Sequence, residues 1–457
     1  MTGCCPSRFP SSPSRYRFTQ ALVQEVVYQN LLVARRAEAH DRAGRAYEAH
    51  RGGQPQRIED IEALGHHWSL GTDRLRGARF LVDAGDRARA VYANDDAIRN
   101  YQRALRTLGE SGARDEQDPV RERLGDLLAT VGRRAEAIEH YEAVRTRRAE
   151  AGDRQGQARL LRKLGGLHWD AGERQRALER FQAGLGLLEE GGDDVESAHL
   201  YQEMGRLAFR SGDNQRAMEW ARHALTLAER LTADGAETEA AREAAAVVAH
   251  ACNTIGVALA RTDHRQEAVA HIERSIAVAR SRDLVQVACR GYTNLGILYA
   301  MLDPARGIAT CLEGLEAAKR IGDLGVQSHL YANLAVAYCA LTDQCEAEGI
   351  AAAQTAIDLD RQLGALDHLA VPLIVLGQIH QCHGNSPRAL EFYQEALGLV
   401  EAAAEPQLLF PCYDGLATLY LDLGDQAEAE RYLTLAQDVC TRAGLDPDAL
   451  VLLPFLG

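Results

Sequence analysis

Lysine is almost missing from this chain. Of 51 basic residues only Lys163 and Lys319 are lysine, and neither follows a glycine. A phosphate cradle of the Gly-x-x-x-x-Gly-Lys-Ser/Thr type therefore cannot be formed. Gly-x-Ser-x-Gly, His-Glu-x-x-His and Cys-x-x-Cys are absent as well, so no motif for nucleophilic, zinc-hydrolytic or dithiol chemistry is present and no catalytic residue or cofactor is expected. No apolar run approaches the length needed to span a bilayer. Residues 1–16 hold no run of signal-peptide length, and their proline, serine and arginine content predicts disorder. No period-two alternation extends far enough for a sheet. Eight of the ten cysteines (Cys252, Cys289, Cys311, Cys339, Cys345, Cys382, Cys412 and Cys440) are scattered over expected helices. They read as reduced, mostly buried thiols of a cytoplasmic protein. Scarce lysine beside abundant alanine, arginine and glycine suggests a GC-rich, bacterial genome.

What is present is a rhythm. A small residue, usually after leucine, falls at Gly85, Gly125, Gly165, Gly205, Gly256, Gly296, Ala335, Gly377 and Ala417. Twelve positions on sits alanine (Ala97, Ala137, Ala177, Ala217, Ala268, Ala389, Ala429), and four further a ring at Tyr101, Tyr141, Phe181 and Tyr393. Repetition every forty or so residues implies stacked copies of one helical hairpin. Glycine within a helix costs about 1 kcal/mol relative to alanine, so its recurrence needs a reason. Close approach of two backbones, as between Gly165 and Ala177, is the reason expected. A second glycine seven residues on (Gly132, Gly172, Gly212, Gly384, Gly424) suits a left-handed helix end. The next residue, as in Asp213 and Asp425, can cap the following helix. Apolar stripes at helical spacing, such as Leu160, Leu161, Leu164, Leu167 and His168, complete the pattern.

The chain is thus expected to be all-α, a right-handed α-solenoid of roughly twenty helices of about 12–20 residues. The 51-residue gap between Gly205 and Gly256 exceeds the period by 11, three helical turns, and its surplus falls in Leu225–Cys252 around Ala233–Gly235. The 42-residue gap after Ala335 places an insertion near Thr342–Ala347, with Gly349 and Ala356 at small positions. Pro304 suits the first turn of a helix.

Net charge is −14 over 457 residues. Residues 1–60 carry nine arginines and six acids, a net of +3, leaving −17 for the repeats. An acidic array argues against general nucleic-acid affinity. His66-His67 and His380 with His383 offer metal-ligand atoms, but no second cluster at zinc spacing accompanies either, so they read as helix-surface or interface histidines and no metal is expected. Acidic pairs such as Glu189-Glu190 read as solvated turn residues. Function is sought on the concave side, which first helices line. Arg162, Gln202, Arg206, Asn253, Asn294 and Asn333 occupy candidate inward positions there. Asparagine can bond both amide groups of a peptide, and arginine can hold a carboxylate with two parallel bonds. A protein or peptide ligand in the groove is the expected partner, with self-association open.

From Thr72 to Gly444 the anchor, the alanine, the ring and a closing small residue (Ala104, Ala224, Ser275, Ala396, Ala436) resemble the tetratricopeptide repeat family, lengthened in period. Repeat-end proline is mostly missing, Ala335 and Ala417 replace glycine, and the lysine-rich carboxylate clamp of chaperone-binding members is absent. Upstream, Arg17–Leu32, Arg35-Arg36, His40, Leu64–Trp68 and Ala84–Ala88 resemble the junction of bacterial STAND-class ATPase regulators, including those fused to adenylate or guanylate cyclases. Gln20 stands where that family commonly has histidine. The resemblance implies a remnant of a winged-helix region at 17–56, repeats at 57–445 and a tail at 446–457. It implies a sensor or scaffold arm without its ATPase, with Val23, Val26, Val27 and Leu31 left to face a missing module. A DNA-associated transcriptional regulator and a fragment of a cyclase-linked ATPase are the competing readings.

Overall fold

The computed structural model describes residues 20–443, apart from 51–56, 92, 172, 189–193, 233–237, 342–343, 364–368 and 404–405. The expected disordered start, the whole of the 446–457 tail and the Ala233–Gly235 loop lie outside the described residues. Those residues form α-helices and no strand. They divide into two compact units at residues 171 and 172.

The first unit contains α1 (Ala21–Asn30), α2 (Val33–His50), α3 (Ile58–Leu70), α4 (Arg74–Ala90), α5 (Asn94–Ser111), α6 (Arg114–Thr130), α7 (Arg134–Glu150) and α8 (Arg154–Asp170). Its core joins Leu81, Tyr101, Leu108, Leu124, Leu128, Tyr141 and Leu164, all buried. The second contains α9 (Arg174–Leu188), α10 (Val195–Arg210), α11 (Asn214–Thr232), α12 (Glu239–Arg261), α13 (Arg265–Ser281), α14 (Val285–Leu302), α15 (Pro304–Ile321), α16 (Leu324–Cys339), α17 (Ile350–Leu363), α18 (Ala370–Cys382), α19 (Ser386–Ala403), α20 (Pro406–Asp422) and α21 (Gln426–Ala443). All nine anchor residues fall on first helices of hairpins, from α4 to α20.

The anchor glycines owe their place to different neighbours. A Cβ on Gly85, Gly125 or Gly377 would lie 2.7, 2.6 or 2.8 Å from the ring of Tyr101, Tyr141 or Tyr393. Each ring stands sixteen residues after its glycine. Close backbone approach, the reason expected from sequence, holds instead at Gly205, whose Cβ would meet Ala217 O at 3.1 Å and Ala221 N at 3.2 Å. Where position sixteen carries a ring, the ring fills the notch; where it carries Ala221, the helices close on each other.

In the first unit the hydroxyls of Tyr101 and Tyr141 are tied to the aspartate following their anchor. Tyr101 Oη donates to Asp86 and Tyr141 Oη to Asp126, both at 2.6 Å. The same carboxylates receive a cation from the next first helix: Arg123 reaches Asp86 at 2.9 Å and Lys163 reaches Asp126 at 2.6 Å. One acid therefore serves two successive repeats.

Helix ends follow the glycine pattern. Gly132, Gly212, Gly384 and Gly424 have φ between 73° and 87°, where a side chain would be strained. Asp213 and Asp425 accept from Arg216 N and Glu428 N, as capping requires. Asp303 caps α15 through Arg306 N, with Pro304 in its first turn. Gly172 lies outside the described residues. The long gap lengthens both helices beside it, to 19 residues in α11 and 23 in α12. The later insertion is absorbed by a π-helical turn, Cys345–Gly349, leading into α17.

Helix α12 corrects one expectation: it is long and apolar enough to cross a membrane by length and composition. Its most apolar window is 78% buried, so it is the core helix of the second unit.

Candidate functional site

In the second unit the first helices α10, α12, α14, α16, α18 and α20 pack in succession against one another as well as against their own partners. This layer is the inner wall of the stack. Five of the six residues singled out from sequence lie on it; Arg162, on α8, belongs to the first unit.

The amides sit deep in this layer. Gln202, Asn253, Asn294 and Asn333 are all buried. Asn294 Nδ2 donates to Asn253 Oδ1 at 3.1 Å, and Asn333 Nδ2 donates to Thr293 O at 2.8 Å. They brace α12, α14 and α16 across successive repeats. A buried amide bonded in this way contributes about 1 kcal/mol and costs more when its partner is removed. Asn253 Nδ2 has no protein partner.

The same layer carries a periodic row of bases. His199, His250, Arg290 and His329 each stand six residues before their anchor, giving one basic or titratable group on α10, α12, α14 and α16 in turn. His250 lies one helical turn before Asn253 on the same face, and its Nδ1 is buried without a protein partner. Burial, with Arg290, Arg206 and His199 nearby, lowers the His250 pKa to about 3, so the ring is neutral at physiological pH. Burial, then Arg206, lowers Arg290 to about 9, partly opposed by Glu203. The guanidinium keeps its charge at neutral pH. Arg206 lies 3.5 Å from Glu203. The wall therefore holds two arginines near one glutamate, beside two unpartnered nitrogens. This column is visible in the sequence as a basic or titratable residue six places before four anchors.

A cavity of about 520 Å³ lies between α13, α14 and α15, lined by Glu273, Arg280, Tyr292, Tyr299, Arg306 and Glu313 among others. Its polar groups are occupied with each other: Tyr299 Oη donates to Glu273 at 2.8 Å and Arg306 reaches the same carboxylate at 3.2 Å.

The histidines named from sequence are also placed. His380 stacks on Phe392, centroids 5.4 Å apart, and His383 Nε2 lies 2.9 Å from Cys345 Sγ. His66 and His67 gain a neighbour that sequence spacing concealed. His40 of α2 lies with them, and the ligand atoms of the three fall within 4.8 Å of one another. Burial, the foremost cause, lowers the pKa of all three.

An all-α solenoid of stacked hairpins is thus the class of protein that the geometry defines. The tetratricopeptide repeat profile matches residues 119–190, and a second such profile matches 198–230. These two segments are tetratricopeptide repeats within a helical-repeat fold. The chain is similar to a STAND signal-transduction ATPase with a tetratricopeptide repeat sensor from Pyrococcus horikoshii, at 13% identity and a TM-score of 0.55, over 96% of this chain and 68% of that one. It is similar to the Rap conjugation gene regulator of plasmid pLS20 in complex with the Phr* peptide, at 12% identity and a TM-score of 0.53, over 81% and 96%. The apo form of the quorum sensor NprR from B. thuringiensis matches at 16% identity and a TM-score of 0.53, over 79% and 98%. No curated protein matches the sequence.

Proposed function

We propose that the chain is a non-catalytic, cytoplasmic binding scaffold whose inner wall takes an anionic peptide segment, and that it serves as the sensor arm of a STAND-type signalling regulator. The observation that carries the peptide reading is the pair of buried, unpartnered nitrogens, Asn253 Nδ2 and His250 Nδ1, beside Arg206 and Arg290. Leaving such atoms unsatisfied costs about 1–3 kcal/mol each, and a ligand bonding them recovers that cost. Asn253 would give its amide to a peptide carbonyl. Neutral His250 can accept from a peptide N–H or donate, according to its tautomer. Arg206 and Arg290 would receive a carboxylate. The Phr* complex, in a protein of the same fold, supports a peptide as ligand.

The regulator reading is supported by the fold of the STAND ATPase and by α1, whose Leu22, Val23, Val26 and Val27 stand exposed. An apolar face of this kind suits docking against a nucleotide-binding module.

A random heptapeptide library displayed on phage, panned against the chain, tests the ligand. Selected peptides should be enriched in Asp, Glu or free carboxyl termini, and fluorescence anisotropy should show binding weakened about tenfold or more by Arg290→Gln and Asn253→Ala. Selected peptides that bind both variants as tightly as the original chain overturn the site. Labelled ATP should show no saturable binding.

A further inference from the structure

The three histidines at the opposite end of the chain form a site of different chemistry. His40 comes from α2, and His66 and His67 are neighbours on α3. Their ring centroids are 5.7, 5.3 and 5.4 Å apart, a nearly equilateral triangle. His40 Nδ1 faces His67 Nδ1 at 3.0 Å. Three imidazoles bound to one tetrahedral zinc at about 2.0–2.1 Å place their nitrogens about 3.3 Å apart and their centroids about 5 Å apart. The triangle has that size.

The surroundings fit as well. Tyr28 Oη lies 2.9 Å from His40 Nε2. If Nδ1 carries the metal, Nε2 keeps its proton and donates it to the tyrosine oxygen. A ligating histidine is ordinarily oriented by such a partner. His40 is buried, His67 half-buried and His66 exposed, which leaves one side open to water as a fourth ligand. Asp41, beside His40, turns both oxygens to Thr72 N and Oγ1, at 2.9 and 2.7 Å, and so fixes the α2 end of the triangle against the start of α4.

We propose that His40, His66 and His67 form a divalent transition-metal site, zinc by its donor chemistry, that fastens α2 to α3. Imidazole donors favour zinc, copper and nickel over magnesium and calcium. The bland alternative is a hydrogen-bonded histidine cluster between two helices. It accounts for the Nδ1–Nδ1 contact of His40 and His67, but it gives His66 no reason to complete the triangle.

The test uses the untagged full chain, stripped with chelator and titrated with Co²⁺, then with Zn²⁺ in competition. One equivalent of Co²⁺ should bind with the visible absorption of a tetrahedral site, and Zn²⁺ should bleach it. His66→Gln, whose side chain is exposed and whose folding is checked by circular dichroism, should abolish the band, and His67→Gln should do the same. Tyr28→Phe should weaken binding about tenfold, as loss of an orienting partner does. Cys382→Ser should leave the band unchanged, since the thiols near His383 are the rival donors. Added Zn²⁺ should slow amide exchange across residues 33–70 in the original chain and not in His66→Gln. No band, a band that survives both histidine variants, or a band lost in Cys382→Ser overturns the assignment.

Discussion

Replacing Gly125 with alanine puts a methyl group where the Tyr141 ring now sits. The added Cβ would be 2.6 Å from Cε1 and 2.9 Å from Cδ1. Ordinary contact needs about 3.5–4.0 Å between carbons, so the ring must retreat by about 1 Å. It is poorly free to do so. Its hydroxyl is held by Asp126 at 2.6 Å, and the Lys163 ammonium sits 5.5 Å from the ring centroid. Overpacking of this kind costs about 1–3 kcal/mol, and the restraints on the ring favour the upper part of that range. Alanine recovers about 1 kcal/mol of helix propensity. The net expectation is a loss of about 1–2 kcal/mol, concentrated in α6 and α7. Repeat arrays need not unfold in one step, so the readout is amide exchange of α6 and α7 peptides beside a urea titration followed by circular dichroism. A double-mutant cycle sharpens the test. Tyr141→Ala alone should cost about 3–5 kcal/mol. On that background Gly125→Ala should turn neutral or stabilising, a coupling of 1 kcal/mol or more. If Gly125→Ala is as stable as the original chain while Tyr141 is intact, the ring does not occupy the notch and the account of the anchor is wrong.

Other outcomes follow from the same structure. Gly398 lies in the middle of α19 with nothing within 4 Å of an added Cβ, so Gly398→Ala should stabilise by about 1 kcal/mol in thermal or urea unfolding. Asn294→Ala removes the donor to Asn253 from a fully buried position and should cost about 1–3 kcal/mol, read by urea midpoint. The folded His250 ring stays neutral down to about pH 3, whereas an unfolded imidazole protonates near 6.5, so the unfolded chain binds the extra proton between those values. Stability from this group is complete above about pH 6.5 and falls by at most about 1.4 kcal/mol per unit below it; His250→Gln should show a shallower decline between pH 7 and 5. Burial pushes the Cys311 and Cys412 thiols up to about 12, while Cys382 is exposed. Peptide mapping after brief iodoacetamide treatment at pH 8 should find Cys382 modified well before either, and early modification of Cys311 would contradict its burial.

Hairpin order and helix ends were legible from Gly125, Gly212, Asp213 and their equivalents, because each local requirement recurs in every copy. The partner of the anchor was not. Tyr101 and Gly85 both belong to the repeat, but a periodic pattern records spacing and says nothing about which side chains meet across a hairpin. The inner wall was half legible. Asn253, Asn294 and Asn333 lie on first helices as expected, yet whether an amide faces a groove or the next helix depends on how far successive helices close, and alanine-rich α12 lets them close tightly. The histidine triangle was hidden because His40 and His66 lie on different helices, far apart in sequence. Only the packing of α2 on α3 brings them together.

The carboxylates of Asp86 and Asp126 bind their own tyrosine 15 residues downstream and a cation 37 residues downstream. Each joint is thus written in offsets shorter than one repeat. Excising or duplicating one forty-residue module between equivalent points leaves every offset intact and removes or adds one whole fastening. Such an array can change its reach in unit steps without redesigning any seam, whereas an indel of a few residues between aspartate and cation severs a seam at once.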